Sequence, residues 1–226
     1  MLQYKISKIA IETLIEQQKP GWLARAATRT AGFKALGKYD ESSGIWSEIK
    51  PVYMRLQHSK CAYCERQLES EAVGKIEHDL EHFRPKKKAK PWKITSELAL
   101  AGVALTPPTT GSADKGYHLL AYHPQNYCTS CKPCNSALKS DNFPIEGPRT
   151  PGGEEPTALN SEQPYLVNPV GDFDDAPEDL IAFHGLSPMA KASSGFKRRR
   201  AWSPSNSSAW MIAGASTCFA NARIEL

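Results

Sequence analysis

Apolar residues along the chain recur in short, interrupted stretches. Over residues 5–19 (KISKIAIETLIEQQK), Ile6, Ile9, Leu14 and Ile15 stand among polar neighbours. That spacing fits a strand leading into a helix, or one short helix, ended by Pro20-Gly21. Residues 22–60 read as mostly helical but irregular. Within them Trp46, Ile49, Val52, Tyr53 and Leu56 recur at three- and four-residue spacing, which predicts an amphipathic helix despite Pro51 near its first turn. Residues 61–70 read as a tight turn, 76–83 as a short strand or turn, and 117–122 as a short strand. Gln125 to Cys131 leads into a second tight turn, and Ser136 to Lys139 opens a helix.

Residues 101–116, rich in Gly, Pro, Thr and Ser, predict an exposed loop, and 144–164 (PIEGPRTPGGEEPTALNSEQP) a loop bordering the core. Pro164 to Pro169 reads as a buried segment closed by proline. The last 40 residues show weak periodicity until a final helix around 208–224, and there is no internal repeat. The expected organisation is α+β, with a helical N-terminal region (1–56), a central unit (57–145) and a C-terminal extension (146–226) holding the Pro/Gly-rich loop and the final helix.

At 226 residues the chain is long enough to bury a core. No apolar run approaches membrane-spanning length, and Met1-Leu2-Gln3-Tyr4-Lys5 does not lead into the apolar segment of a signal peptide. The net charge of +4 is mild, and its distribution says more. From Arg84 to Lys93 (RPKKKAKPWK) six of ten residues are basic and none acidic, and Lys197-Arg198-Arg199-Arg200 forms a second basic cluster. Asp172, Asp174, Asp175, Glu178 and Asp179 oppose them as an acidic strip. A polyanion would meet one face, with Lys and Arg making sequence-independent phosphate contacts. A solvated charge run is the plain alternative for each cluster.

Four of the six cysteines fall in two pairs, Cys61-x-x-Cys64 and Cys131-x-x-Cys134, separated by 66 residues. Each pair presents two thiolates from one turn, and two such turns complete a tetrahedral zinc site. Three disulfides fit less well in a chain of this size without an export signal, so a reduced, cytoplasmic protein with structural zinc is expected. The long separation excludes an ordinary zinc finger; the zinc would pin the two ends of an inserted structure. A redox role needs only one pair, and using Cys128 in place of Cys131 would break the spacing. Lys132 and Arg66 stand close enough in sequence to offset thiolate charge, and Cys128 and Cys218 read as buried or tolerated thiols.

Hydrolysis of a phosphodiester needs a base near a water, a divalent cation on the phosphate and relief for the leaving oxygen. Glu81-His82 sets a carboxylate beside an imidazole whose pKa lies near neutrality. On a strand the two point to opposite faces, so the backbone must turn there or a helix must pack alongside. Asn135, directly after the second cysteine pair, offers an amide oxygen suited to magnesium or manganese.

Glu81-His82-Phe83-Arg84-Pro85, Asn126 and Cys131-Lys132-Pro133-Cys134-Asn135 with Lys139 together resemble the pattern of HNH endonucleases, a ββα-metal fold. CAYCERQLE, IEHDLEHFRPKKK, CTSCKPCNSALKSDNFP and the later YLVNP resemble, more closely, the PtuB-like HNH nucleases, found beside an ATPase partner in Septu and retron-type bacterial anti-phage systems. The similarity spans about residues 44–170.

It implies a zinc-stabilised nuclease core over 57–145, flanked by mainly helical extensions, that cuts DNA. His82 would be the general base, Glu81 and Asn135 the ligands of a catalytic Mg2+ or Mn2+, and Asn126 the residue that orients His82. Cys61, Cys64, Cys131 and Cys134 would hold structural zinc, with Arg84, Lys86 or Lys139 on phosphate. Two features depart from the pattern. Glu77-His78-Asp79 repeats the acid–histidine pairing four residues early, although Pro85 favours the second copy and leaves His78 or Asp79 beside the site. His123-Pro124 stands where relatives usually carry an aromatic, and reads as structural. Trp92 and Trp210 suit core packing more than base stacking. RNA cleavage, or a non-catalytic zinc-stabilised adaptor for nucleic acid or protein, are the alternatives; a binder has no need of Glu81, His82, Asn126 and Asn135 together.

Overall fold

A two-stranded antiparallel sheet joins segments that lie far apart in sequence. β1 (His78–His82) pairs with β2 (Tyr127–Cys131), in a register running from His78 opposite Cys131 to His82 opposite Tyr127. The computed structural model describes residues 3–71, 76–90, 116–185 and 187–201. The expected final helix, Cys218, Trp92, Trp210 and all but the last residue of the 101–116 loop lie outside the described residues.

Tyr4 forms a single parallel bridge with Val170, and α1 (Lys8–Gln18) follows. Ser7 caps α1 by accepting from the Ala10 amide at 3.2 Å, leaving Ile11 and Ile15, four apart and buried, on its inner face. Each such burial is worth about 1.5–3 kcal/mol. α2 (Trp22–Leu36) buries Trp22, Ala26 and Phe33, and α3 (Lys50–Leu56) follows a 3-10 turn at Trp46–Ile49. Pro51 sits in the first turn of α3, where its missing N–H costs nothing. The three helices pack together and α3 lies against β1 and β2. Tyr53, wholly buried, donates from its hydroxyl to the Pro124 carbonyl at 2.5 Å.

Residues 117–122 are not a strand. His118–Leu120 forms a 3-10 turn, and its amides are satisfied locally, Leu120 N–H to the Tyr117 carbonyl and Ala121 N–H to that of His118. The run is buried on every side, so it lacks the alternation that separates a strand from a buried turn. Gly116, at φ +54°, brings the chain in, since a Cβ there would lie 2.6 Å from the Pro85 carbonyl oxygen.

After β2, Pro133–Lys139 forms one π-helical turn where a helix was expected from Ser136. Residues 144–164 do border the core: Pro156–Glu162 is a 3-10 helix that buries Leu159 and Glu162. Pro164 to Pro169 is buried as expected. α4 (Pro177–Leu180) and α5 (Gly195–Ala201) flank a hairpin, β3 (Ile181–His184) and β4 (Ser187–Ala190), that the weak periodicity of this region did not reveal. The architecture is α+β, with small antiparallel sheets and helical extensions around them. Among the described residues no helix is long and apolar enough to cross a membrane.

A candidate metal centre beside the strand pair

Cys61 and Cys64 lie in the turn that follows α3, Cys131 ends β2, and Cys134 opens the π-helix. The first turn is closed by the Glu65 amide on the Cys61 carbonyl and the Cys61 amide on that of Arg66, both 3.0 Å, with Glu65 at φ 60°. The Cys131 amide donates to Cys61 Sγ at 3.3 Å. All four sulfurs lie within 4.8 Å of one another. A tetrahedron with Zn–S arms near 2.3 Å has edges of about 3.8 Å; Cys64 Sγ and Cys131 Sγ stand 3.9 Å apart.

The thiols perturb one another. Contact with Cys131 holds the Cys64 thiol far below its ordinary range and pushes that of Cys134 far above it. The cluster is able to chelate a metal ion, and a donor set of four thiolates suits zinc. Lys132 and Arg66, expected to offset thiolate charge, instead pair with Asp79 and Glu77. Cys128 is buried apart from the cluster, its thiol pushed up to about 12 by burial.

β1 runs from this cluster towards the second group of residues. Its alternation sends Asp79 and Glu81 to the face covered by the π-helix and His78 and His82 to the other. Asn135 Nδ2 donates to Asp79 Oδ2 at 3.1 Å. Four residues on, Lys139 Nζ lies 2.5 Å from Glu81 Oε1 and also donates to the His82 carbonyl at 3.0 Å. Burial raises the Glu81 carboxyl above its usual range, opposed by the Lys139 ammonium. Glu81 and Asn135 thus face the same helix–strand seam but bond to different partners.

His82 is 5 % exposed and lies between the Trp46 and Tyr127 rings, each meeting it edge-on at 5.0 Å. Its Nε2 is 3.1 Å from the Ala121 carbonyl, which can only accept, so that nitrogen carries the proton. The lone pair is left on Nδ1, 3.4 Å from Lys86 Nζ. Burial, and then the Lys86 charge, hold the imidazole well below 6.5. Asn126 ties the chain leaving β1 to the chain entering β2. Its Oδ1 accepts from the Arg84 amide at 2.8 Å, and its Nδ2 donates to the carbonyls of Arg84 (3.1 Å) and Leu120 (2.9 Å).

His78 is buried, with Nε2 2.8 Å from the Glu69 carbonyl. His123 is buried too, with Nδ1 accepting from the Gln125 amide and Nε2 3.0 Å from Glu155. Of the basic residues, Arg84 is enclosed, ion-paired with Glu162 and lying over the Tyr117 and Phe143 rings. The acidic strip and second basic cluster partly neutralise each other: Arg200 pairs with Asp174 and Asp175, and Lys197 with Asp175. Arg199 pairs with Glu146. Periodicity marked Trp46 only as an apolar helix position, not as the neighbour of His82, and Glu162 had no sequence signal. Asp79 had one: it stands two residues before Glu81, on the same face of any strand.

Among the described residues the four cysteines are the only cluster of three or more His, Cys, Asp or Glu side chains placed to hold a metal. No family model and no solved structure matches the chain. Over 175 residues, 77 % of its length, it is 26 % identical to the Septu protein PtuB of Bacillus mycoides (strain KBAB4). The matched region covers 51 % of that protein, so the chain spans about half the length of the curated relative. The chain is a distant relative of PtuB, with an α+β fold and a four-cysteine cluster able to chelate a metal ion.

Proposed function

We propose that the chain is a divalent-metal-dependent HNH endonuclease with a ββα-metal core over residues 57–145. In this reading it hydrolyses DNA phosphodiester bonds as the nuclease arm of a bacterial anti-phage complex with an ATPase partner. The observation that carries the reading is the setting of His82: the Ala121 carbonyl accepts from Nε2–H, which makes Nδ1 the basic nitrogen, free for a base's work once Lys86, 3.4 Å away, turns to another partner. The order of strand, strand and helix supports it, with Asn126 just before β2 and Asn135 on the π-helix. The likeness to PtuB supports the defence setting.

His82 Nδ1 would take the proton of the attacking water, and Asn126 would hold the loop that fixes His82. Glu81 and Asn135, with Asp79 alongside, form an oxygen donor set suited to Mg2+ or Mn2+, which when bound would neutralise charge on the phosphate and the leaving oxygen. Glu81 must first exchange Lys139, whereas Asn135 bonds Asp79 through Nδ2 and keeps its amide oxygen for a metal. Cys61, Cys64, Cys131 and Cys134 would hold zinc and so fix the far end of the strand pair.

One observation favours a second reading, a non-catalytic zinc-stabilised adaptor: Glu81 and His82 face opposite sides of β1, and Glu81 is already paired. The test is cleavage of duplex DNA, single-stranded DNA and RNA by the pure chain, alone and with its ATPase partner, with and without Mg2+ or Mn2+. Metal-dependent nicking of duplex DNA, abolished by His82→Ala at unchanged zinc content, is expected. Cutting of RNA alone would change the substrate. An H82A protein that cuts at the wild-type rate removes the base assignment, and silence on all three substrates with the partner present, alongside retained binding of nucleic acid or the partner, favours the adaptor.

A further inference from the structure

Three cations stand near the end of β1, and the fold consumes two of them. Arg84 is buried against Glu162, and Lys139 against Glu81. Lys86 differs. It is half-buried and makes no ion pair among the described residues. Its ammonium rests 4.5 Å from the Trp46 ring centroid, 5.6 Å from that of Tyr39 and 3.4 Å from His82 Nδ1. Lys87 and Lys88 follow it, exposed to solvent.

The shelf under Lys86 is fixed by close packing. A Cβ on Gly44 would lie 1.8 Å from the Trp46 ring, so the indole lies directly on the Gly44 backbone. The same ring meets His82 edge-on. A cation held by two aromatic rings and one long hydrogen bond to a neutral imidazole, without an anion of its own, gains a stronger partner when an anion arrives.

We propose that Lys86 is the residue that takes a nucleic-acid phosphate at this site, and that Trp46, seated on Gly44, is the positioning residue that aims it beside His82 Nδ1. The proposal rests on the nuclease reading for the place where the phosphate lands, but binding alone tests it.

Binding of duplex DNA and RNA oligonucleotides to the full chain would be measured across a range of salt concentrations, without added divalent ion. Losing one phosphate contact lowers the slope of log K against log salt by about 0.9 on duplex DNA and about 0.7 on single strands. Lys86→Gln should do this and weaken binding about fivefold at low salt. Lys86→Arg should restore the slope, and Lys86→Met, which keeps the stem against Trp46, should match K86Q if that variant folds poorly. Trp46→Leu should weaken binding in the wild-type background and add little to K86Q, a coupling that a merely structural tryptophan would not show. Lys191→Gln, an exposed lysine of the β4–α5 connection, is the control for bulk charge.

A wild-type slope in both K86Q and K86M overturns the proposal. So does an equal fall in K191Q, or a wild-type chain that binds neither nucleic acid. If the slope falls as expected and no condition yields cleavage, Lys86 keeps its role and the nuclease reading is what fails.

Discussion

The Lys139 ammonium, 1 % exposed, lies 2.5 Å from Glu81 Oε1, so a lysine is the cation that the mostly enclosed Glu81 carboxylate meets in this conformation. Removing one partner of a buried pair strands the other. Lys139→Met should therefore cost about 3–5 kcal/mol in urea unfolding, and the double variant K139M/E81Q should recover most of that loss. If Glu81 also belongs to a divalent site, added Mg2+ or Mn2+ should stabilise K139M more than wild type. Equal shifts would remove Glu81 from that site.

The cysteine cluster should bind one zinc per chain. Cys61→Ser or Cys134→Ser should lower zinc content and lead to unfolding or aggregation, because structural zinc contributes on the order of 10 kcal/mol to domains built around it. Cys128→Ser, at a buried thiol outside the cluster, should keep full zinc content in a chelator-release assay. Loss of zinc from C128S alone would mean that the fifth thiol belongs to the site.

Asn126 satisfies three backbone groups inside the fold. Truncation to alanine leaves the Arg84 amide and two carbonyls without it, a loss of roughly 3 kcal/mol measured by thermal or urea unfolding. Asn126→Asp keeps the acceptor for the Arg84 amide but turns a buried carboxylate oxygen onto two carbonyls, and should be no more stable than N126A at neutral pH. An N126A chain as stable as wild type would show that water replaces the amide.

Acidification should loosen the molecule through its histidines. Burial is the first cause holding both His82 and His123 below 6.5, so each is protonated in the unfolded chain before it is in the folded one. Lys86 lowers His82 further, while Glu155 opposes the fall at His123. The stability these groups contribute is present above pH 6.5 and is lost as pH falls below it, by up to about 1.4 kcal/mol per pH unit for each. Glu81, whose carboxyl is raised by burial, acts with the opposite sign above 4.5, losing its contribution as pH rises through its folded value. Comparing wild type with His82→Asn cancels that effect. H82N should show a shallower loss between about pH 6.5 and about pH 5.5 in urea unfolding, and an unchanged slope would mean that His82 is charged in the folded chain.

Much of the local chemistry was legible in the sequence because it depends on spacing. The two-residue gap in each cysteine pair fixes a turn, and those turns do meet in one cluster. Alternation along β1 foretold that Glu81 and His82 would part, and a helical turn does pack against the Glu81 face. What sequence could not give is the identity of partners brought in from far away. Nothing near Arg84 announces Glu162, 78 residues on, and nothing marks Trp46 as the neighbour of His82. Charge runs misled for the same reason: Lys197 to Arg200 look like a surface patch until Asp174, Asp175 and Glu146 fold onto them. The β3–β4 hairpin escaped because Ala182, Phe183 and Met189 do not divide cleanly into buried and exposed faces.

The β1–β2 register has a consequence for assembly of the chain. Cys131 stands opposite His78 at one end of the pair, and Tyr127 opposite His82 at the other. A slip of one residue would carry Cys131 about 3.3 Å along the strand, further than a metal–sulfur bond is long, and would turn every β1 side chain to the wrong face. Gathering the four sulfurs therefore selects the alignment of residues more than ten ångströms away. A metal ion held by all four sulfurs would thus act as a proofreader, captured only by chains whose histidine end is already set.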